Sequence, residues 1–159
     1  MFILGGWGTL PKGRTGVTFV PFPDQYGRPM PTKRFHIDRT ETSPEIDLDL
    51  ERGAIHFVGR SLPGNSEQFY SRVHGWIDEY LREPQKETTV NMRMDYLDTS
   101  SSKHLFNIFK RLESVNEDGR KVNVNWHFEQ GDDEMAETGK DYQSFLRLDF
   151  KFIEVDSLF

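Results

Sequence analysis

The feature that most constrains the fold is a hydrophobic periodicity that switches repeatedly between two residues and about 3.6 residues. Alternating apolar and polar side chains predict half-buried strands at 46–50, 54–59, 88–97, 122–128 and 146–153. Apolar side chains at helical spacing predict amphipathic helices around 69–80, 105–115 and 134–142. The predicted element order is therefore ββαβαβαβ.

This order predicts an α/β fold with a mixed β-sheet and flanking helices. Strands that alternate with helices are joined by parallel crossovers. The first two strands are separated only by a turn at Arg52–Gly53 and are predicted to form an antiparallel hairpin. Each helix has one apolar stripe, so the sequence leaves open whether the helices cover one face of the sheet or both.

Residues 1–34 differ from the rest of the chain. They are rich in glycine and proline, show no sustained periodicity, and carry five basic residues against one acidic residue. We predict that 1–34 form an irregular basic extension and that the domain spans 35–159. The remainder has fifteen basic and twenty-five acidic residues. An acidic body repels phosphate backbones, so nucleic acid is not an expected partner, although the basic arm could contact an acidic surface.

Several other classes of function lack their sequence signals. The chain has no cysteine, its histidines are scattered without metal-ligand spacing, and it has no Gly-x-Ser-x-Gly motif. No apolar run approaches the roughly 20 residues needed to cross a bilayer. The start lacks the pattern of a secretory signal, so we expect a cytoplasmic protein with no membrane partner, no metal and no cofactor.

One segment carries more polar chemistry than a helix start requires, Asp95-Tyr-Leu-Asp-Thr-Ser-Ser-Ser-Lys103. One hydroxyl suffices for an N-cap, yet Thr99 is followed by three serines. A helix N-terminus offers unpaired N–H groups and partial positive charge, which accommodate a phosphate. A phosphorylated hydroxyl there would add a charge of roughly −1.5 to −2 and could prevent docking of an acidic or apolar partner. The alternative is a polar cap with redundant serines.

At this segment the chain resembles the SiaC family of bacterial regulatory phosphoproteins, which are similar in fold to the STAS domains of anti-sigma-factor antagonists. The resemblance covers about residues 35–155. The matching passages are Val58-Gly-Arg-Ser-Leu-Pro-Gly-Asn-Ser-Glu-Gln-Phe-Tyr70, Trp76-Ile-Asp-Glu-Tyr80, Asp95-Tyr-Leu-Asp-Thr-Ser-Ser-Ser-Lys103 and Val124-Asn-Trp-His-Phe128.

The resemblance implies a non-enzymatic switch in cyclic-di-GMP signalling. A cognate protein kinase phosphorylates the threonine that heads the serine run, a PP2C-type phosphatase reverses this, and the unmodified form binds an output protein, a diguanylate cyclase in the best-known system. The acceptor is then Thr99, with Ser100 and Ser101 as second choices. Asp98 stands where the family commonly has Asn, which adds repulsion beside a phosphothreonine.

The expected partner-binding residues are those of the segment itself: Asp98, Thr99, Ser100, Ser101, Ser102 and Lys103. Two other functions stay open at this point. The first is a constitutive adaptor that uses the same surface without a covalent switch. The second is a small hydrolase that uses Asp95 and Asp98, which would require a closed pocket that raises the pKa of a carboxyl group.

Overall fold

In a computed structural model, residues 33–117 and 119–159 are described, and they form six strands and three helices. The strands are β1 Arg34–Ile37, β2 Glu45–Asp49, β3 Ala54–Ser61, β4 Glu87–Leu97, β5 Lys121–Glu129 and β6 Asp149–Val155. The helices are α1 Ser66–Tyr80, α2 Thr99–Glu117 and α3 Asp133–Phe145. The predicted order is confirmed from β2 onward, and one additional strand precedes it.

The additional strand, β1, begins at Arg34, the last residue of the predicted extension. It pairs antiparallel with β2, with Phe35 opposite Leu48. Only Phe35 and Ile37 alternate with polar neighbours, which is too short a pattern to separate a strand from a loop. Residues 1–32 lie outside the described residues, so the irregular extension stays a prediction.

The described strands form a single mixed sheet in the order β1-β2-β3-β4-β5-β6. The hairpin of β2 and β3 is antiparallel, as predicted, whereas β3, β4, β5 and β6 run parallel. Each parallel crossover moves one strand further in the same direction, and crossovers are right-handed. The three helices therefore lie on one face of the sheet, which answers the question that the apolar stripes left open.

The burial pattern agrees with a one-sided helical layer. The helix-covered face of the central strands is largely apolar and includes Phe57, Met92 and Trp126, all at most 1% exposed. The opposite face carries polar side chains, for example Asn91 and Asn125, which are hydrogen-bonded to each other at 2.9 Å. All apolar residues predicted on the stripe of α2 are buried: Leu105, Ile108, Phe109, Leu112 and Val115.

The last strand begins later than the periodicity predicts. Leu146 and Leu148 are buried, which mimics the start of a strand, but β6 begins at Asp149. The backbone N–H of Arg147 donates to Oε1 of Glu113 on α2 at 2.8 Å instead of to a neighbouring strand. A side-chain acceptor therefore holds this connection outside the sheet.

Candidate functional site

The predicted segment lies where β4 ends and α2 begins, and Asp98 fixes this junction. Its side chain accepts the N–H of Ser101 at 2.7 Å, and its carbonyl accepts the N–H of Ser102 at 2.9 Å. Its own N–H donates to the carbonyl of Ser61 at the end of β3, at 2.9 Å. The helix cap is therefore a carboxylate, which corrects the expectation that one of the hydroxyls supplies it.

Thr99 and Ser100 occupy the first two positions of α2, and both are exposed. Ser100 is hydrogen-bonded through its hydroxyl to the hydroxyl of Ser66, at the start of α1. Thr99 heads the helix at the surface, as a phosphate acceptor must.

Ser101 is fully buried, in contrast to its two predecessors. Its Oγ accepts a hydrogen bond from Ser61 at 2.7 Å, and the Ser61 hydroxyl is bonded to that of Tyr70 at 2.8 Å. Burial raises the pKa of Tyr70 to about 12, so this chain of hydroxyls stays neutral. The expectation that Ser101 is a second acceptor and a partner-binding residue is therefore corrected, because its hydroxyl is used inside the domain.

Ser102 and Lys103 also differ in whether their side chains are bonded within the domain. Tyr142 on α3 donates its hydroxyl to the carbonyl of Ser102 at 2.6 Å, and its oxygen lies 2.8 Å from the Ser102 hydroxyl. Burial raises the pKa of Tyr142 to about 12. Ser102 thus ties α2 to α3, whereas Lys103 is exposed and forms no ion pair with any described residue.

Three adjoining hollows surround this segment. Thr99 lines the first, a cleft of about 300 Å³ that it shares with Asp95, Tyr96 and Ser102. Asp95 also borders a hollow of about 790 Å³ on one side. Ser102 also borders one of about 390 Å³ on the other side, lined by Phe106, Tyr142 and Phe145. We call these three hollows together the Thr99 surface.

The Thr99 surface collects the exposed large hydrophobic side chains of the described chain, namely Leu62, Tyr96, Phe145 and Phe159. Contiguous exposed apolar surface is typical of interaction sites. No local sequence pattern singles out these four residues. Tyr96 lies near the end of β4, where the register between β3 and β4 slips after Gly59, and it is 46% exposed.

The carboxylates of the hydrolase alternative do not face each other across one cleft. Asp95 lines the Thr99 cleft and its Oδ2 lies 3.4 Å from a guanidinium nitrogen of Arg60. Asp98 is used to cap α2 and does not line that cleft. Within residues 33–117 and 119–159, no group of three or more His, Asp or Glu side chains is arranged to hold a metal ion. None of the described helices is long and apolar enough to cross a membrane.

The profile of the SiaC family regulatory phosphoproteins matches residues 37–155, which include the whole junction of β4 and α2. The chain belongs to the SiaC family. It is therefore a member of a family of regulatory phosphoproteins, and the four passages on which the resemblance was stated all lie within the matched range.

Known proteins agree with this assignment. An uncharacterised protein of Pseudomonas aeruginosa strain UCBPP-PA14 is 31% identical over 108 residues, which cover 68% of this SiaC family chain and 86% of that protein. The structure of SiaC of Pseudomonas aeruginosa is similar with a TM-score of 0.71 and 27% identity, over 78% of this chain and 100% of SiaC.

A second similar structure shows SiaC with a partner. It is the crystal structure of the diguanylate cyclase SiaD in complex with its activator SiaC, from Pseudomonas aeruginosa. This chain matches it with a TM-score of 0.72 and 28% identity, over 76% of its own length and 99% of that chain.

Proposed function

We propose that this chain is a non-catalytic switch protein whose unmodified form binds and regulates an output protein, and whose binding is controlled by reversible phosphorylation of Thr99. The proposed output protein is a diguanylate cyclase, because the similar SiaC is the activator of such an enzyme. A cognate kinase adds the phosphate and a PP2C-type phosphatase removes it. The protein would act in the cytoplasm.

The observation that carries this proposal is the position of Thr99. Its side chain is exposed at the first residue of α2 and lines the central hollow of the Thr99 surface. A kinase can therefore reach the hydroxyl, and a partner that covers the exposed apolar side chains would also cover Thr99. A phosphate placed there would introduce a dianion into the contact area.

The helix start can hold that phosphate without rearrangement. The first N–H groups of a helix have no acceptor within the helix, and the Asp98 carboxylate accepts only that of Ser101. The N–H groups of Thr99 and Ser100 stay available to a phosphate, and the helix dipole favours its charge. The Asp98 carboxylate opposes it, as do the three acidic residues that line the cleft with Thr99, namely Asp95, Asp132 and Glu134. Phosphorylation would therefore change docking while leaving the domain folded.

Thr99 variants test the proposal by titration against the purified diguanylate cyclase of the same host. We expect Thr99→Ala to bind constitutively, and Thr99→Glu to bind roughly tenfold more weakly or worse, because like-charge or charge–apolar contacts cost several kcal/mol. Ser100→Ala is the matched control, since it removes the neighbouring exposed hydroxyl. Equal affinities for the alanine and glutamate variants at position 99 would contradict the switch.

Mass spectrometry separates the switch from the constitutive adaptor, the second candidate. Protein purified from its own host, with the phosphatase gene deleted, should carry a phosphate on the peptide that contains residues 99–102. An unmodified peptide in that strain, together with partner binding that requires the Thr99 surface, would establish the adaptor instead.

A further inference from the structure

The hollow between α2 and α3 has the character of a docking groove. It is lined by Phe106, Tyr142 and Phe145, and we call it the aromatic groove. The Phe106 ring meets those of Tyr142 and Phe145 edge-on, at centroid distances of 5.6 and 6.4 Å. Tyr142 is held by Ser102, whereas Phe145 is 70% exposed. The groove therefore has a fixed floor and one exposed aromatic wall.

A single lysine connects this groove with the switch residue. Lys103 lies on the rim of the aromatic groove, is exposed, and forms no ion pair with the residues that the structure describes. On α2 it follows Thr99 by four residues and precedes Phe106 by three, so the three side chains share one stripe of the helix. Side chains four residues apart on a helix are close neighbours, about 5–6 Å between their Cβ atoms.

We propose that the aromatic groove binds an apolar side chain of the output partner and that a partner carboxylate beside this side chain forms an ion pair with Lys103. When Thr99 is phosphorylated, its phosphate forms an ion pair with Lys103 in place of the partner carboxylate. This inference rests on the proposed function and names the chemistry of the partner segment: an apolar anchor flanked by acidic residues.

The unpaired lysine on the α2 side of the groove favours an acidic group of the partner at that side. Most cationic side chains of the described domain already form ion pairs with carboxylates; Arg60, for example, pairs with Asp95, and Lys140 pairs with Glu137. The groove rim carries one cation, Lys103 on α2, and one anion, Asp141 on α3, and no ion pair joins Lys103 to a described carboxylate. A partner carboxylate would supply the missing charge while its apolar neighbour is buried against the aromatic rings.

The same geometry explains how phosphorylation would weaken docking. A phosphothreonine carries roughly −1.5 to −2 charges and would lie one helical turn from the Lys103 ammonium. Pairing with the phosphate satisfies Lys103 internally, and the added negative charge repels the acidic partner segment. The groove itself would be unchanged, so the partner would lose its ionic contact and keep only the apolar one.

The intramolecular pairing can be measured without any partner. Phosphothreonine is installed at position 99, and the pKa of its phosphate, ordinarily about 6, is followed by ³¹P NMR. We expect the pKa to rise when Lys103→Gln is added, because a nearby ammonium favours the dianion. Lys121→Gln, at the end of the sheet opposite Thr99, removes the same charge and is the control, which should leave the phosphate pKa unchanged. A phosphate pKa that is unchanged by Lys103→Gln would refute the ion pair between the phosphate and Lys103.

The partner chemistry is tested with two synthetic peptides and isotope-labelled protein. Both peptides are short amphipathic helices with leucine at i and i+4, flanked by glutamate in one and by lysine in the other. The glutamate peptide should shift the amide signals of residues around Phe106 and Phe145, and bind about threefold to fivefold more weakly to Lys103→Gln. Lys121→Gln, which removes a lysine away from the groove, should bind it as well as the unchanged protein does.

Each remaining outcome overturns the inference. Equal or tighter binding of the lysine peptide, binding of neither peptide, or shifts outside the aromatic groove would exclude a groove for an acid-flanked apolar anchor. Because neither measurement requires the output protein, such a failure differs from failure of the switch, which would appear as absent phosphate at Thr99 in the host.

Discussion

Asp98 and Ser101 form the structural part of the segment that begins α2. Asp98 caps the helix and ties it to the end of β3, and Ser101 accepts a hydrogen bond from Ser61 in the interior. These contacts hold the backbone on both sides of Thr99. The exposed hydroxyl of Thr99 is therefore presented from a rigid base, so that its chemical state can change without displacing the helix.

Replacement of Ser101 tests the structural role of the buried hydroxyl. In Ser101→Ala the hydroxyl of Ser61 loses its acceptor in a buried position, which costs about 1–3 kcal/mol of unfolding free energy. Ser100→Ala removes an exposed hydroxyl and should change stability by at most about 0.5 kcal/mol. Urea denaturation of both variants measures the difference. Equal stabilities would contradict the assignment of Ser101 to the core.

At the residue scale, the sequence predicts the segment but not the roles within it. Thr99, Ser100, Ser101 and Ser102 are chemically alike, and a helix of 3.6 residues per turn directs them to different sides. Which side is buried depends on where the helix begins. Because the carboxylate of Asp98 takes the cap, the helix begins at Thr99, and Ser101 rather than Thr99 points inward.

At the scale of elements, the position of α3 depends on a close approach at Gly139. A Cβ atom added there would lie 2.7 Å from Nε1 of Trp126 on β5 and 2.7 Å from Cε1 of Phe152 on β6. Trp126 also donates from Nε1 to the carbonyl of Met135, at 3.0 Å. The absence of a side chain thus lets α3 lie directly on the sheet, and α3 supplies one wall of the aromatic groove.

Gly139→Ala is expected to destabilise the domain, although alanine favours helices. Overpacking of a close contact costs typically about 1–3 kcal/mol, which exceeds the gain of up to about 1 kcal/mol in helix propensity. Gly75→Ala in α1 is the matched control, since nothing lies within 4 Å of an added Cβ there, and it should be stabilising. Thermal unfolding of both variants gives the comparison. A stabilised Gly139→Ala variant would show that α3 is not held by this contact.

Elements with long patterns are predictable from the sequence, and their ends are less so. The helix predicted around 69–80 is confirmed as α1, which begins at Ser66 because the Asn65 side chain accepts the N–H of Gln68 at 3.0 Å. The predicted start of β6 at residue 146 is wrong, because a buried leucine gives the same hydrophobic pattern in a strand and in a loop. The acceptor that holds this loop, Glu113, lies 34 residues away in sequence. Such long-range contacts leave no local signal.

At the scale of the whole molecule, a one-sided helical layer leaves α1 and α2 side by side, and a chain of titratable groups links them. Arg111 donates to Nδ1 of His74 at 3.2 Å, and Nε2 of His74 lies 3.1 Å from Nδ1 of His104. Nε2 of His104 lies 3.5 Å from the carboxylate of Glu67. A guanidinium can only donate, so Nδ1 of His74 is an acceptor and the His74 imidazole must be neutral for this hydrogen bond to hold.

This series of hydrogen-bonded side chains makes the stability of the domain depend on pH. Burial, together with the positive charge of Arg111, holds the pKa of His74 below its usual 6.5, and burial does the same for His127. The folded state then binds fewer protons than the unfolded state. The contribution of these neutral histidines to the free energy of unfolding is therefore fully present above about pH 7. It is lost as the pH falls through about 6.5 towards their lower pKa values in the folded state.

Urea denaturation at several pH values between 7.5 and 5.5 measures this dependence. The carboxyl groups with lowered pKa, Asp47 and Glu113, lose their contribution only nearer pH 4, so they do not affect this window. His74→Gln should flatten the slope of unfolding free energy against pH, whatever its effect on stability at pH 7.5, because a glutamine cannot take up the proton. A slope that is unchanged in this variant would show that protonation of His74 does not oppose the packing of α1 against α2.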